Sequence, residues 1–230
     1  LARIDPLPSV RGPAADVAAP NWRILAVPGV GSARRSVLRV FGTACGLGVE
    51  GSGWVAAPDL VITNAHVVAG EGDTAIQVGG VGHGRHATVV IFDVHDDLAV
   101  LRVPGLGLPA LKLASSVRSG TPAAILGYPL DGPFDAEAGR IGQTEAVSTE
   151  NAYAQGHVLR SITALRGNVR SGNSGGPVVD GQGRILATVF AALTNAARPG
   201  GFAVPNPVVA VQLARARTQT ASVSTGHCGT

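Results

Sequence analysis

The chain has 230 residues, enough for one large domain or two small ones with a substantial core. Its 32 glycines and 15 prolines, with few long helical patterns, favour an all-β architecture rich in turns. The formal net charge is +3, but the arginines are scattered and Lys112 is the only lysine, so nothing points to nucleic-acid binding. No stretch approaches the ~20 apolar residues of a membrane-crossing helix. The chain opens at Leu1 rather than at methionine and is expected to be part of a longer protein.

Residues 1–35 carry Pro6, Pro8, Pro13, Pro20 and Pro28 among alanines and small polar residues, as expected of a linker or extended arm. Ile4, Leu7, Trp22, Ile24 and Leu25 are its candidates for packing on a domain surface. From Ser36 the pattern becomes strand-like, over residues 37–41 and 45–49. Gly46 to Gly51 formally fits the G-x-G-x-x-G dinucleotide fingerprint, which requires a helix after its last glycine. Residues 52–55 followed by Pro58 read as strand and turn instead, so no cofactor is expected. A strand at 60–63 leads to His66, with a helical turn at 67–69 behind it. Gly79 to Gly84 reads as a glycine-rich hairpin. His83 and His86 nearby lack the cysteine or carboxylate set of a metal site, so no metal is expected either.

Strands at 89–92 and 98–103 flank three acids, Asp93, Asp96 and Asp97. Residues 104–109 read as the link between two halves, 36–108 and 109–205. The second half has a strand over 122–129, a polar flexible loop at 130–139 and strands at 141–147 and 158–164. Asp180-Gly181-Gln182-Gly183 suits a hairpin turn before a strand at 185–189. Asn206 as cap and Pro207 at the first helical position then open a short amphipathic helix to Ala216, within a closing segment of helix and tail at 206–230.

The chemistry centres on Ser171-Gly172-Asn173-Ser174-Gly175-Gly176-Pro177. A serine hydroxyl becomes nucleophilic only when a base takes its proton and donors hold the oxyanion that forms. Glycines on both sides of Ser174 allow a sharp turn that aims backbone amides into a concavity. Alone, such a segment is also an ordinary surface turn. Upstream, however, stand Thr63-Asn64-Ala65-His66-Val67-Val68 and Asp97-Leu98-Ala99-Val100-Leu101. Histidine, aspartate, serine is the chain order of the chymotrypsin-type triad.

With Gly51-Ser52-Gly53-Trp54 before them and Gly201-Phe202-Ala203-Val204-Pro205 after, these motifs resemble, over residues 36–213, the HtrA-type trypsin-like serine proteases. The resemblance implies two antiparallel six-stranded β-barrels with a short C-terminal helix. It implies acyl transfer in which Ser174 attacks the peptide carbonyl, His66 shuttles the proton and Asp97 orients the imidazole. Asp97 is preferred over Asp93 and Asp96 because it directly precedes the Leu98–Leu101 motif. The turn Gly172-Asn173-Ser174 should form the oxyanion hole, through the N–H groups of Gly172 and Ser174. Asn173 stands where digestive proteases have an aspartate that pairs with a new N-terminus, so activation by that ion pair is not expected.

By the same analogy Thr188-Val189-Phe190-Ala191 lines the substrate cleft and pairs with substrate backbone. Asn168 lies at the base of the primary specificity pocket, which disfavours Arg or Lys there and suggests an apolar side chain. Cys45 and Cys228 are either two idle thiols or one long-range disulfide. Resemblance to exported proteases favours the disulfide, which would then clamp one barrel to the other. The family also implies protein or peptide substrates, a periplasmic setting with membrane attachment through segments outside this sequence, and a role in envelope, acid or oxidative stress. An inactive protease-fold binding module and a chaperone-like stress protein are the competing readings, and the sequence carries no signal of oligomeric state.

Overall fold

Short runs of β-branched and apolar residues, cut by glycine turns, form strands that curl into two closed sheets. The computed structural model describes residues 3–4, 8–10, 14–193 and 197–228. Two short arm strands come first, β1 (Arg3–Ile4) and β2 (Ser9–Val10), then helix α1 (Pro28–Ala33). In the first sheet β3 (Val37–Ala44) lies between β4 (Leu47–Ala57) and β6 (Ala75–Val78). β4 continues to β5 (Leu60–Thr63), and β5 to β9 (Leu98–Arg102). β7 (Arg85–His86) pairs with β6, β8 (Thr88–Asp93) pairs with β9, and Ala87 alone separates β7 from β8. That bent segment joins both edges, so β3, β4, β5, β6, β7–β8 and β9 make a barrel of six strands. It closes around Leu38, Val40, Val55, Val61, Ile76 and Leu101.

The second barrel runs β10 (Pro122–Gly127), β11 (Asp135–Glu150), β12 (His157–Gly167), β15 (Gly200–Pro205), β14 (Ile185–Leu193) and β13 (Pro177–Val179). β13 pairs again with β10 and closes the ring. Ile125, Ile141, Leu165, Leu186 and Val189 fill it. Strand alternation sends the residues between these to the outside. Trp54, Ile62 and Leu98 of the first barrel therefore meet Leu126, Phe190 and Phe202 of the second in a separate apolar cluster. Helix α3 (Asn206–Thr218) seals that cluster with Val209 and Leu213.

Several local expectations change. The described part of residues 1–35 is no free linker. β1 pairs in parallel with β4, and β2 with β14, so the arm reaches both barrels. Ala15, Ile24, Val30 and Ala33 are buried in the inter-barrel cluster. Gly29 sits so close to Gly181 that a Cβ would come within 2.3 Å of its carbonyl oxygen. A count of large hydrophobics underestimates this segment, because small residues bury completely where backbones touch. Trp22 stays 70% exposed and Leu25 is borderline exposed, while the Ile4 side chain and Leu7 lie outside the described residues. The loop expected at 130–139 ends early, since β11 begins at Asp135 and pairs back to Gly127. Asn206 does not cap α3; its side-chain amide donates to Ile185 O at 2.8 Å, fastening the helix to β14 instead.

The Cys45–Cys228 disulfide is present, and it corrects the picture of a clamp running directly between barrels. Cys228 ends a tail laid along the first barrel, where Val223 N donates to Val89 O and Gly70 N to Thr225 O. The second barrel takes part through Tyr153 at the tip of the β11–β12 hairpin. Its hydroxyl bonds Thr225 O at 2.9 Å and its ring lies 4.2 Å from His227. Under the tail is Glu71, 6% exposed, with Oε2 accepting from Thr74 Oγ1 at 2.7 Å and Oε1 without a partner among the described residues. Burial pushes its carboxyl up to about 8, against the Thr74 hydrogen bond and with Asp73 adding to the rise.

Two predictions follow from this corner of the fold. Reducing the bond, or replacing Cys228 with serine, frees the tail and releases a closure worth at most roughly 5 kcal/mol in chain entropy. The melting temperature should fall by about 5–15 °C, with intact mass under non-reducing conditions reporting the bond itself. Unchanged melting after verified reduction would show that the tail holds without it. The Glu71 carboxyl stays protonated in the fold while the unfolded chain ionises near pH 4.5, so stability is lost as pH rises from there to about 8 and then levels. Glu71→Gln should therefore melt like wild type near pH 4 and increasingly above it toward pH 8. A constant difference across that range would refute the assignment.

Candidate active site

His66 lies on α2 (Ala65–Val68), a single helical turn at the end of β5. Thr63 Oγ1 donates to Ser52 O at 2.8 Å and so ties the end of β5 to β4. Asp97 ends the turn before β9 in the left-handed region, at φ +54, which aims its carboxylate back at α2. Asp97 Oδ1 accepts from the His66 backbone N–H at 2.9 Å, and Oδ2 lies 2.6 Å from His66 Nδ1. Asn64 Nδ2 donates to Asp97 O at 2.7 Å and holds the acid from its other side. Both Asp97 and His66 are buried. Asp96 turns away, its Oδ1 3.0 Å from His95 Nδ1, and Asp93 accepts from the backbone of His95 and Asp96. Among the three acids, only Asp97 meets His66.

The serine turn is braced from the opposite barrel. Ser52 N donates to Ser174 O at 2.7 Å, and Ser52 Oγ donates to Gly172 O at 2.6 Å while accepting from Tyr128 N at 2.9 Å. Gly172 has φ +84, and a Cβ there would come within 2.4 Å of Tyr128 O; at Gly175, with φ +78, it would meet Ser52 O at 2.2 Å. These two glycines let the turn press against both barrels at once. Gly51 is flanked by Val67, the residue after His66, and by Ser174 O. His66 Nε2 and Ser174 Oγ are both buried and both without a hydrogen-bond partner among the described residues. Two orphaned polar atoms, one a base and one a hydroxyl, are the signature of a site built for a reacting group rather than for stability.

Of the three residues expected at the oxyanion hole, Asn173 drops out as a donor. Its N–H is taken by Arg170 O at 2.9 Å, and its side chain accepts from Arg170 N. The amides of Gly172 and Ser174 bond to nothing among the described residues. In Thr188-Val189-Phe190-Ala191 all four side chains are fully buried, so any contact with substrate is through the main chain. Thr188 Oγ1 accepts from Trp54 Nε1 at 3.2 Å, and Val189 exchanges hydrogen bonds with Gly175 and Gly176. Beyond it, β2 takes the same edge at Ala192 and Leu193, which leaves Phe190 and Ala191 between the serine turn and the arm. Asn168 is exposed, 3.5 Å from Glu137 Oε1, and Glu137 in turn is 3.1 Å from Arg170. Arg170 also pairs with Asp135.

Sequence reasoning missed the bracing roles of Ser52, Asn64 and Trp54. All three lie inside motifs that were noticed, and a small polar residue between two glycines was the available signal for Ser52.

The chain is similar to known peptidases. The model of the trypsin-like peptidase domain matches residues 51–187. The serine protease Rv3671c of Mycobacterium tuberculosis is 36% identical over 225 residues, covering 96% of this chain and 56% of its own length. The chain thus spans little more than half of that curated relative. A mitochondrial HTRA2 serine protease of Drosophila pseudoobscura is 36% identical over 174 residues, covering 73% of this chain and 39% of its own. The crystal structure of the active form of the Rv3671c protease superposes with a TM-score of 0.88, covering 97% of this chain and 98% of that one. The inactive form of its serine-to-alanine mutant gives 0.77 at 34% identity, covering 91% and 100%. By its motifs, its two barrels and these relatives, the chain belongs to the trypsin-like peptidases and is a serine protease of the HtrA and trypsin-like type.

Proposed function

We propose that this protein is an endopeptidase that cleaves protein substrates through an acyl-enzyme on Ser174, with His66 as general base and acid and Asp97 as its orienting carboxylate. The observation that carries the reading is the two-point grip of Asp97 on His66, at 2.9 Å to the backbone N–H and 2.6 Å to Nδ1. That grip places the remaining proton on Nδ1, leaves Nε2 free to accept from Ser174 and stabilises the imidazolium that results. The Gly172 and Ser174 amides bind the oxyanion. Substrate backbone adds to β14 at Phe190 and Ala191. Asn168 is neutral, and by the family analogy that places it at the specificity pocket an apolar side chain is preferred to Arg or Lys. The disulfide suits an oxidising compartment, which supports work outside the cytoplasm. The family resemblance alone adds attachment to the membrane through other parts of the protein and a role in envelope, acid or oxidative stress.

A fluorophosphonate probe should label Ser174 in the native protein, and an unlabelled but folded protein would favour the inactive binding module. Ser174→Ala should abolish peptide hydrolysis with melting unchanged. Turnover surviving above a trace would sink the proposed nucleophile. Asp97→Asn should lower kcat by about 10⁴-fold through the wrong imidazole tautomer, while Asp96→Asn leaves it near wild type. The reverse pattern would move the acid. Because the base acts only when neutral, kcat/KM should fall toward acid pH along a single limb, and a rate flat down to pH 4 would contradict the role given to His66.

A further inference from the structure

Arg160, in β12, is 5% exposed and lies where the β11–β12 hairpin crosses to the first barrel. Nε donates to Thr149 Oγ1 at 2.7 Å, Nη2 to Glu150 O at 2.9 Å and Nη1 to His95 O at 3.2 Å. The guanidinium also lies over the Phe190 ring, 4.5 Å from its centroid. Burial lowers its pKa, and the charges of Asp97, then Asp96 and Asp93, push it back up. A buried cation is expensive to keep, and an apolar residue of like volume would hold two β-elements together at least as well. The charge therefore asks for a reason besides packing.

Its partners supply one. His95 is two residues from Asp97, in the turn where Asp97 adopts its left-handed backbone. The same loop accepts a second link from the hairpin tip, Ala152 N to Val94 O at 3.1 Å. Phe190 adjoins Val189, which hydrogen-bonds the serine turn. One guanidinium thus touches the loop that carries the acid and the strand that backs the nucleophile.

The other charged groups here are accounted for elsewhere. Asp93 accepts from the loop backbone and from Gln212 of α3, which also holds Arg215. Asp96 pairs with the exposed His95. His157 is exposed across the hairpin from Glu150, and Tyr153, whose hydroxyl burial pushes up in pKa, faces the tail. Arg160 and Asp97 are the oppositely charged pair that is buried on the triad side.

We infer that Arg160 is a positioning residue for catalysis: its fork holds the 93–97 loop in register with the serine turn. The inference rests on the triad proposed above. It is tested by kcat and KM for wild type, Arg160→Lys and Arg160→Met on one peptide substrate. Lysine loses the planar fork, so kcat should fall about 10-fold with KM little changed, and methionine, which makes none of the three hydrogen bonds, should lower kcat about 100-fold, again with KM little changed. Wild-type kcat in Arg160→Lys, or a loss carried by KM alone, would overturn the inference. If Arg160→Met melts below the assay temperature, Thr149→Val tests the fork with the cation retained, and an unchanged kcat there counts against it. Failure of the underlying triad reading looks different, as a wild type that neither turns over nor takes a fluorophosphonate.

Discussion

The proposed acid and base belong to one barrel and the nucleophile to the other, so the precision of the site depends on the seam between two separately closed sheets. Each barrel closes its own strand ladder and fills its own interior. What joins them is the third apolar cluster and a small set of buried polar contacts that cross it. Apolar packing alone is non-directional and would tolerate sliding of the scale that ruins a proton transfer. The polar contacts are directional. Ser52 grips the serine turn through both its backbone and its hydroxyl, and Trp54 reaches Thr188 on the strand behind it. Two residues of a single strand therefore set the position of the nucleophile relative to the first barrel.

The glycines of the serine turn are explained by the same seam. At Gly172 and Gly175 the backbone takes a positive φ with main-chain atoms of Tyr128 and Ser52 lying where a side chain would begin. The turn is tight because it is pressed between two barrels, and it leaves the Gly172 and Ser174 amides without a partner among the described residues. Burial of His66 Nε2 and Ser174 Oγ without hydrogen-bond partners costs stability locally. Networks of satisfied polar groups around them, from Asn64, Thr63 and Ser52, offset that cost.

Much of this was legible in the sequence, and the reason is spacing. Strands with turn punctuation need only local reading, so the strand at 60–63 and the helix after Pro205 are legible from a few residues each, while the choice of Asp97 over Asp96 rests on the family motif that Asp97 opens. What stayed hidden depends on contacts distant in the chain. Arg160 is one arginine in an alternating strand, with no local mark that its partners are on another barrel. The arm of small residues has little large apolar surface, and its packing combines a few buried side chains such as Ile24 and Val30 with a close backbone approach to residues 181–182. Asn206 looked like a helix cap because its sequence neighbours suit one, whereas its amide is claimed by Ile185, which is remote in sequence. The tail follows the second barrel in chain order, while its hydrogen bonds run mostly to the first.

The Cys45–Cys228 bond joins residues 183 positions apart, and nearly everything that matters to the site lies between them. Covalently, the second barrel, α3 and every strand of the first barrel except β3 sit inside one ring, with the arm, α1 and β3 outside it. A protease meets enzymes of its own kind at high local concentration, and its surface loops are the first places to be cut. A single cut at any loop within the ring opens the circle but sheds nothing, since the two pieces remain one molecule and stay docked across an intact seam. A cut in the arm, by contrast, detaches whatever precedes it. The topology thus divides the chain into a part that tolerates nicking and a part that can be trimmed away, and the edge of β14 now paired with β2 is bordered by the trimmable part.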